Sequence, residues 1–263
     1  KSVSAAQKLI EVDKVRVIIG STCSGAVLSM LPVTDKAKVF VFSGGATSPE
    51  ITGKSPLFAR TIASDSGEML VLAELAVAKG WKKVAVLQES TDYALASYRA
   101  FEKSFGSKGE IVREEYPDTT TDFRSVLTKL MAVKPDAMLI IPQSPATGKR
   151  ILTNLAQVKT VRVPLMVGHV IAGDADLVSE HKAILEGAYA ADQNVDMKNE
   201  KYLALEKKYT DKFGKAMDYT AYAQGQYDLV YILREGLQKY GNDGEKISAW
   251  VRTLRDFDGA SGK

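Results

Sequence analysis

The residues best placed for chemistry stand in Ile18-Ile19-Gly20-Ser21-Thr22-Cys23-Ser24-Gly25-Ala26, where an apolar run stops at small polar residues. Val15 to Ile19 is short and β-branched, as in a strand buried in a parallel sheet, and Gly20 ends it. Ser24 then falls where an N-cap belongs, ahead of helical periodicity at Ala26, Val27, Met30 and Leu31, with Gly25 leaving room for close approach. A strand that feeds a small-residue turn and a helix start aims unpaired N–H groups and the positive end of the helix dipole at one point. Such a point suits a carboxylate or a phosphate. Read alone, the stretch is also an ordinary capped turn of the kind every α/β protein contains. A second stretch, Ser43-Gly44-Gly45-Ala46-Thr47-Ser48-Pro49-Glu50, has six small residues in eight, so backbone there can come very near a ligand.

Other chemistries are poorly served. With one cysteine, Cys23, and two histidines, His169 and His181, neither an internal disulfide nor a Cys/His metal centre is expected, and no cofactor is. Cys23 is expected to be a small buried packing residue, or half of a bridge whose partner lies upstream. No Ser/His/Asp order at plausible spacing, no pair of carboxylates in a glycine-framed loop and no dinucleotide fingerprint is present, so the chain does not read as an enzyme. Ile51-Thr52-Gly53-Lys54-Ser55 imitates the end of a phosphate-binding loop, but Ser48 stands where the first glycine is required, and the segment reads as a surface turn. At 263 residues and 45% hydrophobic content the chain can bury a large core. Its 35 basic and 32 acidic residues are interspersed, which argues against a nucleic-acid partner, and there is no helix-turn-helix headpiece. No run is long and apolar enough to enter a membrane. Lys1 opens directly into helical periodicity at Ala5, Leu9 and Ile10, so the natural N-terminus is expected to be missing or processed.

The elements that must hold these residues alternate. Strands are expected at Lys38–Phe42, Val84–Leu87, Ile111–Tyr116, Ala137–Ile141, Leu165–Val167 and Gly187–Ala191, with Pro56–Thr61 extended. Helices are expected at Asp65–Lys79, Tyr93–Phe105, Asp122–Val133 and Ala146–Val158, then at Tyr202–Phe213, Tyr222–Tyr240 and Glu245–Leu254. Tyr222–Tyr240, apolar at Leu229, Val230, Ile232, Leu233 and Leu237, is expected to be buried on all sides. The alternation implies an α/β fold with parallel sheets covered on both faces.

Taken in order, IIGSTCSGAV, FSGGATSPEIT, FARTIASDSGE, KKVAVLQESTDY, TTDFRSVLTKL, KPDAMLII, VPLMVGHV, LEGAYAA, YTDKFGKAMDYTAYAQGQYD and FDGASG cover essentially the whole chain. Together they resemble the type I periplasmic solute-binding proteins of the leucine/isoleucine/valine-binding class. The resemblance implies two doubly wound parallel-sheet lobes, 1–63 plus 193–255 and 64–192 plus 256–263, with hinge crossings near 62–65, 191–194 and after 255. It also implies a chain trimmed at both ends, a periplasmic or extracellular location, and a small carboxylate and an inner-membrane ABC permease as partners. Carried over by position, Ser24 holds the ligand carboxylate with Thr22 and Cys23 as flanking wall, and Thr47 makes a second carboxylate contact. Gly45 and Ala46 turn backbone carbonyls to the ligand's amino group. Tyr93 stacks on the ligand from the other lobe, Tyr222 forms an aromatic wall, and Gln143 falls where a tyrosine often sits. Ala94 and Ala96 replace the glycines that usually follow the tyrosine. Singly, Ser24 and Thr47 could be caps and the tyrosines core aromatics.

One departure bears on the ligand. Amino-acid binders of this class carry an acid against the ligand ammonium, and His169 stands in that place. An imidazole cannot compensate a buried ammonium, a penalty on the order of a few kcal/mol, so an aromatic or keto organic acid is expected. The alternatives are an amino-acid binder in which Glu89 or Asp92 serves the ammonium, and a ligand-sensing ectodomain of a membrane receptor.

Overall fold

The computed structural model describes residues 1–158 and 162–262; residues 159–161 and 263 lie outside them. The chain divides into two compact units, Lys1–Ala63 with Asn194–Lys263, and Ser64–Gln193. Among the described residues the named strands all pair in parallel.

The first unit contains α1 (Ser2–Glu11), β1 (Val17–Ile19), α2 (Ser24–Lys36), β2 (Phe40–Ser43), a short 3-10 turn at Pro49–Ile51 and β3 (Phe58–Arg60). The chain returns to it with α10 (Glu200–Phe213), α11 (Thr220–Tyr240) and α12 (Gly244–Val251). The sheet order is β1-β2-β3. Strand alternation sends Val41 to one face, against Ile10, Val27, Met30 and Leu31, and Phe40 and Phe42 to the other, against Leu229, Leu233, Ile247 and Trp250. Ile19 stands beside Phe42, and Ser43 beside Arg60, so the loops after the three strands leave the sheet at one edge.

In the second unit the order of elements is α3 (Asp65–Ala78), β4 (Lys83–Glu89), α4 (Asp92–Phe105), β5 (Glu110–Tyr116), α5 (Arg124–Ala132), β6 (Ala137–Ile141), α6 (Pro145–Gln157) and β7 (Leu165–Val167). Three short helices, α7 (His169–Ala172), α8 (Ala175–Glu180) and α9 (Lys182–Leu185), lead to β8 (Tyr189–Ala190). Its sheet runs β5-β4-β6-β7-β8. Val84, Val86, Leu139 and Ile141 face Met69, Leu72, Phe101 and Phe105, while Ala85, Leu87, Met138 and Ile140 face Leu127, Leu130, Ile151 and Leu155. The strand order reverses between β4 and β6, and at such a switch point the loops splay apart and leave a crevice beyond the carboxyl ends of the strands.

Four expectations are corrected. Cys23, with extended φ −77° and ψ 123°, is the N-cap of α2, and Ser24 is already its first helical residue. Cys23 is exposed and not a packing residue, because its backbone turns out of the sheet before the helix begins. Helix α11 is buried on one side only: Leu229 and Leu233 are inside, but Val230 is 53% and Leu237 43% exposed. The reason is that β1 is an edge strand, so no described element lies beyond it to cover that flank. Val15, Val17 and Ile19 instead line an open groove of about 700 Å³ with Val230, Leu233 and Leu237. Finally, the segment after residue 255 belongs to the first unit, where the buried carboxylate of Asp228 accepts from the amides of Ala260 (2.7 Å) and Ser261 (2.8 Å). Among the described residues no helix is long and apolar enough to cross a membrane.

Candidate ligand site

In the first unit the loops after β1 and β2 are tied together by small polar groups. Ser43 Oγ donates to the Ser21 carbonyl (2.9 Å) and accepts from the amides of Gly45 (3.2 Å) and Ala46 (3.0 Å). Ser24 Oγ accepts from the Ser48 amide at 3.1 Å, which brings Ser24 beside the Thr47 loop. A Cβ on Gly45 would overlap the side chain of Thr22, so glycine is what lets the loops touch. Thr22, Cys23, Ser24, Gly45, Ala46 and Thr47 are thus gathered at one sheet edge, with Ser24 2% and Thr47 1% exposed.

The chemistry of this edge favours an anion. Cys23 makes no side-chain capping bond, which leaves the first-turn amides of α2 to another acceptor. Ser24 uses Oγ as an acceptor and keeps its O–H to donate. The Ala46 carbonyl accepts from Arg60 Nη1 at 2.9 Å, as does the Ser48 carbonyl at 3.0 Å, so one of the two carbonyls that the resemblance turned to an amino group already has a cationic donor. Tyr222 lies near the start of α11, edge-on to Tyr219 at 6.1 Å; Tyr219 itself takes the left-handed φ of 53°.

In the second unit the switch point carries Tyr93 and Gln143. Thr91 caps α4 by accepting from the Ala94 amide at 3.2 Å, which fixes the turn that holds Tyr93. The Gln143 amide donates to Glu89 Oε2 at 2.7 Å and ties the ends of β4 and β6. Glu89 is therefore buried and engaged, and Asp92 is exposed.

His169 is the first residue of α7 and 3% exposed, its ring edge-on to Tyr93 at 5.9 Å. Its Nδ1 lies 2.7 Å from Glu68 Oε2 and 3.9 Å from Asp65 Oδ1. Burial by itself lowers the pKa of the ring, but the bond to Glu68 and the charges of Glu68, Asp65 and Asp192 outweigh it and push the pKa above the ordinary imidazole value. Asp65, Glu68 and His169 each bring a donor atom within 4.8 Å of the others. The shortest of these separations is that of a charge-assisted hydrogen bond, and the cluster is read as that. Gly168 completes it, since a Cβ there would overlap Glu68 Oε1.

Asp65 and Glu68 were not among the residues singled out from sequence. A signal existed: they fall on the same i, i+3, i+4, i+7 stripe as Met69 and Leu72, which packs inward.

Compared with known proteins, residues 1–263 match a family model described as periplasmic binding protein. An amino acid binding protein of Pseudomonas aeruginosa is 26% identical over 153 residues, 56% of this chain and 41% of that protein, so the match spans less than half of this curated relative. A leucine binding protein of Thermotoga maritima has a crystal structure that aligns with a TM-score of 0.87 at 25% identity, over 99% of this chain and 75% of that one. A solute binding protein of an ABC transporter from Rhodopseudomonas palustris, in complex with 3,4-dihydroxy benzoic acid, aligns with a TM-score of 0.84 at 25% identity, over 99% and 72%.

Proposed function

This chain belongs to the periplasmic binding protein family, and we propose that it is the solute-binding component of an ABC uptake system for a small organic acid. In this reading the acid is held between the two units by hinge closure and delivered to a permease in the inner membrane, so the protein acts in the periplasm or at the cell surface. The role is binding without chemistry, in line with the names of the Pseudomonas, Thermotoga and Rhodopseudomonas proteins, which are those of binding proteins.

Ligand contacts are assigned to Thr22, Cys23, Ser24, Gly45, Ala46, Thr47 and Tyr222 in the first unit and to Tyr93, Gln143 and His169 in the second. Ser24 O–H, the α2 amides and Thr47 would receive the carboxylate, and Tyr93 would cover an aromatic or keto group. Closure is a population shift, limited by how much better the ligand binds the closed form than the open one.

The observation that supports the reading is the buried His169 with its Glu68 partner; the resemblance implies an acid at that position in an amino-acid binder. A positively polarised ring is a donor for oxygen and a poor neighbour for an ammonium. Arg60 at the Ala46 carbonyl acts in the same direction. The second reading, an amino-acid ligand, is favoured by Asp65, whose carboxylate adds a further negative charge behind His169.

Calorimetric titration with benzoate, phenylpyruvate and leucine separates the two. The organic-acid reading expects an acid to bind tightly and His169→Ala to weaken it by about tenfold or more, the worth of a hydrogen bond to a charged group. Tight leucine binding that His169→Ala leaves unchanged would overturn it.

A further inference from the structure

We propose that Gln226 is a further specificity-determining residue of the candidate site: its carboxamide reads a second oxygen of the ligand, a hydroxyl or keto group other than the carboxylate. The inference rests on the reading of the first unit's sheet edge as the place that holds the carboxylate.

Four positions of α11, Tyr222, Gln226, Leu229 and Leu233, follow the spacing i, i+4, i+7, i+11 and share one face of the helix. Leu229 and Leu233 pack with Phe40 and Phe42 of β2. Nearer the start of α11 the same face reaches Gly44, the residue after β2, where a Cβ would stand 2.7 Å from Gln226 Cδ and 2.9 Å from its Oε1. Gln226 thus stands where the apolar core ends and the loop that carries Gly45, Ala46 and Thr47 begins. The two consecutive glycines of that loop clear two different neighbours: Gly45 has no Cβ where Thr22 lies, and Gly44 has none where the carboxamide lies. A ligand whose carboxylate is held at Ser24 and Thr47 would therefore meet Gln226 with another part of its body.

The carboxamide has the chemistry for that contact. It offers two N–H donors and a carbonyl acceptor with no net charge, so it suits a hydroxyl or a keto oxygen and leaves the charge of an ammonium uncompensated. Among the described residues no hydrogen bond engages the Gln226 side chain, and the residue is only half-buried, so its polar atoms are left to water or to a ligand. Once a ligand displaces that water, an amide without a partner costs binding. An acid that carries the second oxygen then gains over the parent acid that lacks it.

Calorimetry on the full chain with two pairs of acids tests the assignment: phenylpyruvate against 3-phenylpropanoate, and 4-hydroxybenzoate against benzoate. Within each pair the oxygen is the difference. In at least one pair the wild-type protein is expected to bind the oxygenated member about tenfold tighter or more. Gln226→Leu, similar in size and apolar, should bring the ratio of the two Kd values to about one. Gly44→Ala, whose methyl group displaces the far end of a flexible side chain, should lower the ratio in the same direction and serves if Gln226→Leu does not fold. A purely structural role of Gln226 would weaken both members by the same factor and keep the ratio. A wild-type ratio near one in both pairs, or a ratio that the variants leave intact, overturns the proposal while the organic-acid function stands. Binding of leucine and of none of the four acids overturns the function and the proposal together.

Discussion

At the scale of the residue, the His169–Glu68 pair links the site to stability. The folded ring has a pKa raised above 6.5, the value expected in the unfolded chain. A group of that sign contributes stability that is fully present below about pH 6.5 and is lost as pH rises through the folded value. The ligand-free protein should therefore lose thermal stability from neutral to mildly alkaline pH at constant ionic strength, and Glu68→Gln should flatten that slope. Differential scanning calorimetry across pH 6 to 9 measures it, and parallel wild-type and variant slopes would rule the linkage out. The histidine could be singled out from sequence because it departs from a family pattern. Its partner acids could not, because charged residues in a helical segment are ordinarily read as its wet face, and only their place on the stripe with Met69 and Leu72 says otherwise.

At the scale of the element, the readable parts were those with one dominant physical signal. Ala137–Ile141 and Leu165–Val167 are continuous apolar runs, buried on both sheet faces, and their ends are those expected from sequence. The first strand is shorter than expected because Val15 and Arg16 precede the ladder, which starts at Val17. Helix α7 is a single turn, too short to show a period, so the backbone that presents His169 was invisible in sequence. Local caps then decide how firmly each element presents its side chain. Thr91 caps the turn that carries Tyr93, and Thr91→Ala should cost about 1 kcal/mol. For a protein of this size that is a fall of about 2–4 °C in Tm, which circular dichroism can measure, together with weaker ligand binding through Tyr93. No change in either would mean that the cap is redundant.

At the scale of the whole molecule, the proposed function predicts that ligand acts on two bodies at once. At a free benzoate concentration about 100 times Kd, linkage adds about 2.7 kcal/mol to stability, visible as a rise in Tm. The radius of gyration from X-ray scattering should fall on saturation; a rise in Tm with unchanged scattering would argue for binding without closure. The two-unit organisation has a further consequence, for synthesis. The second unit is one uninterrupted stretch, Ser64–Gln193, whereas the first is assembled from segments on either side of it. On the ribosome the inserted unit can be complete while the strands β1 to β3 still wait for α11 and α12, whose side chains cover Phe40 and Phe42. Nascent chains long enough to expose Gln193 outside the ribosome but not α11 should hence carry a finished, protease-resistant insert joined to an N-terminal portion still open to digestion, and that portion is closed only when α11 and α12 emerge.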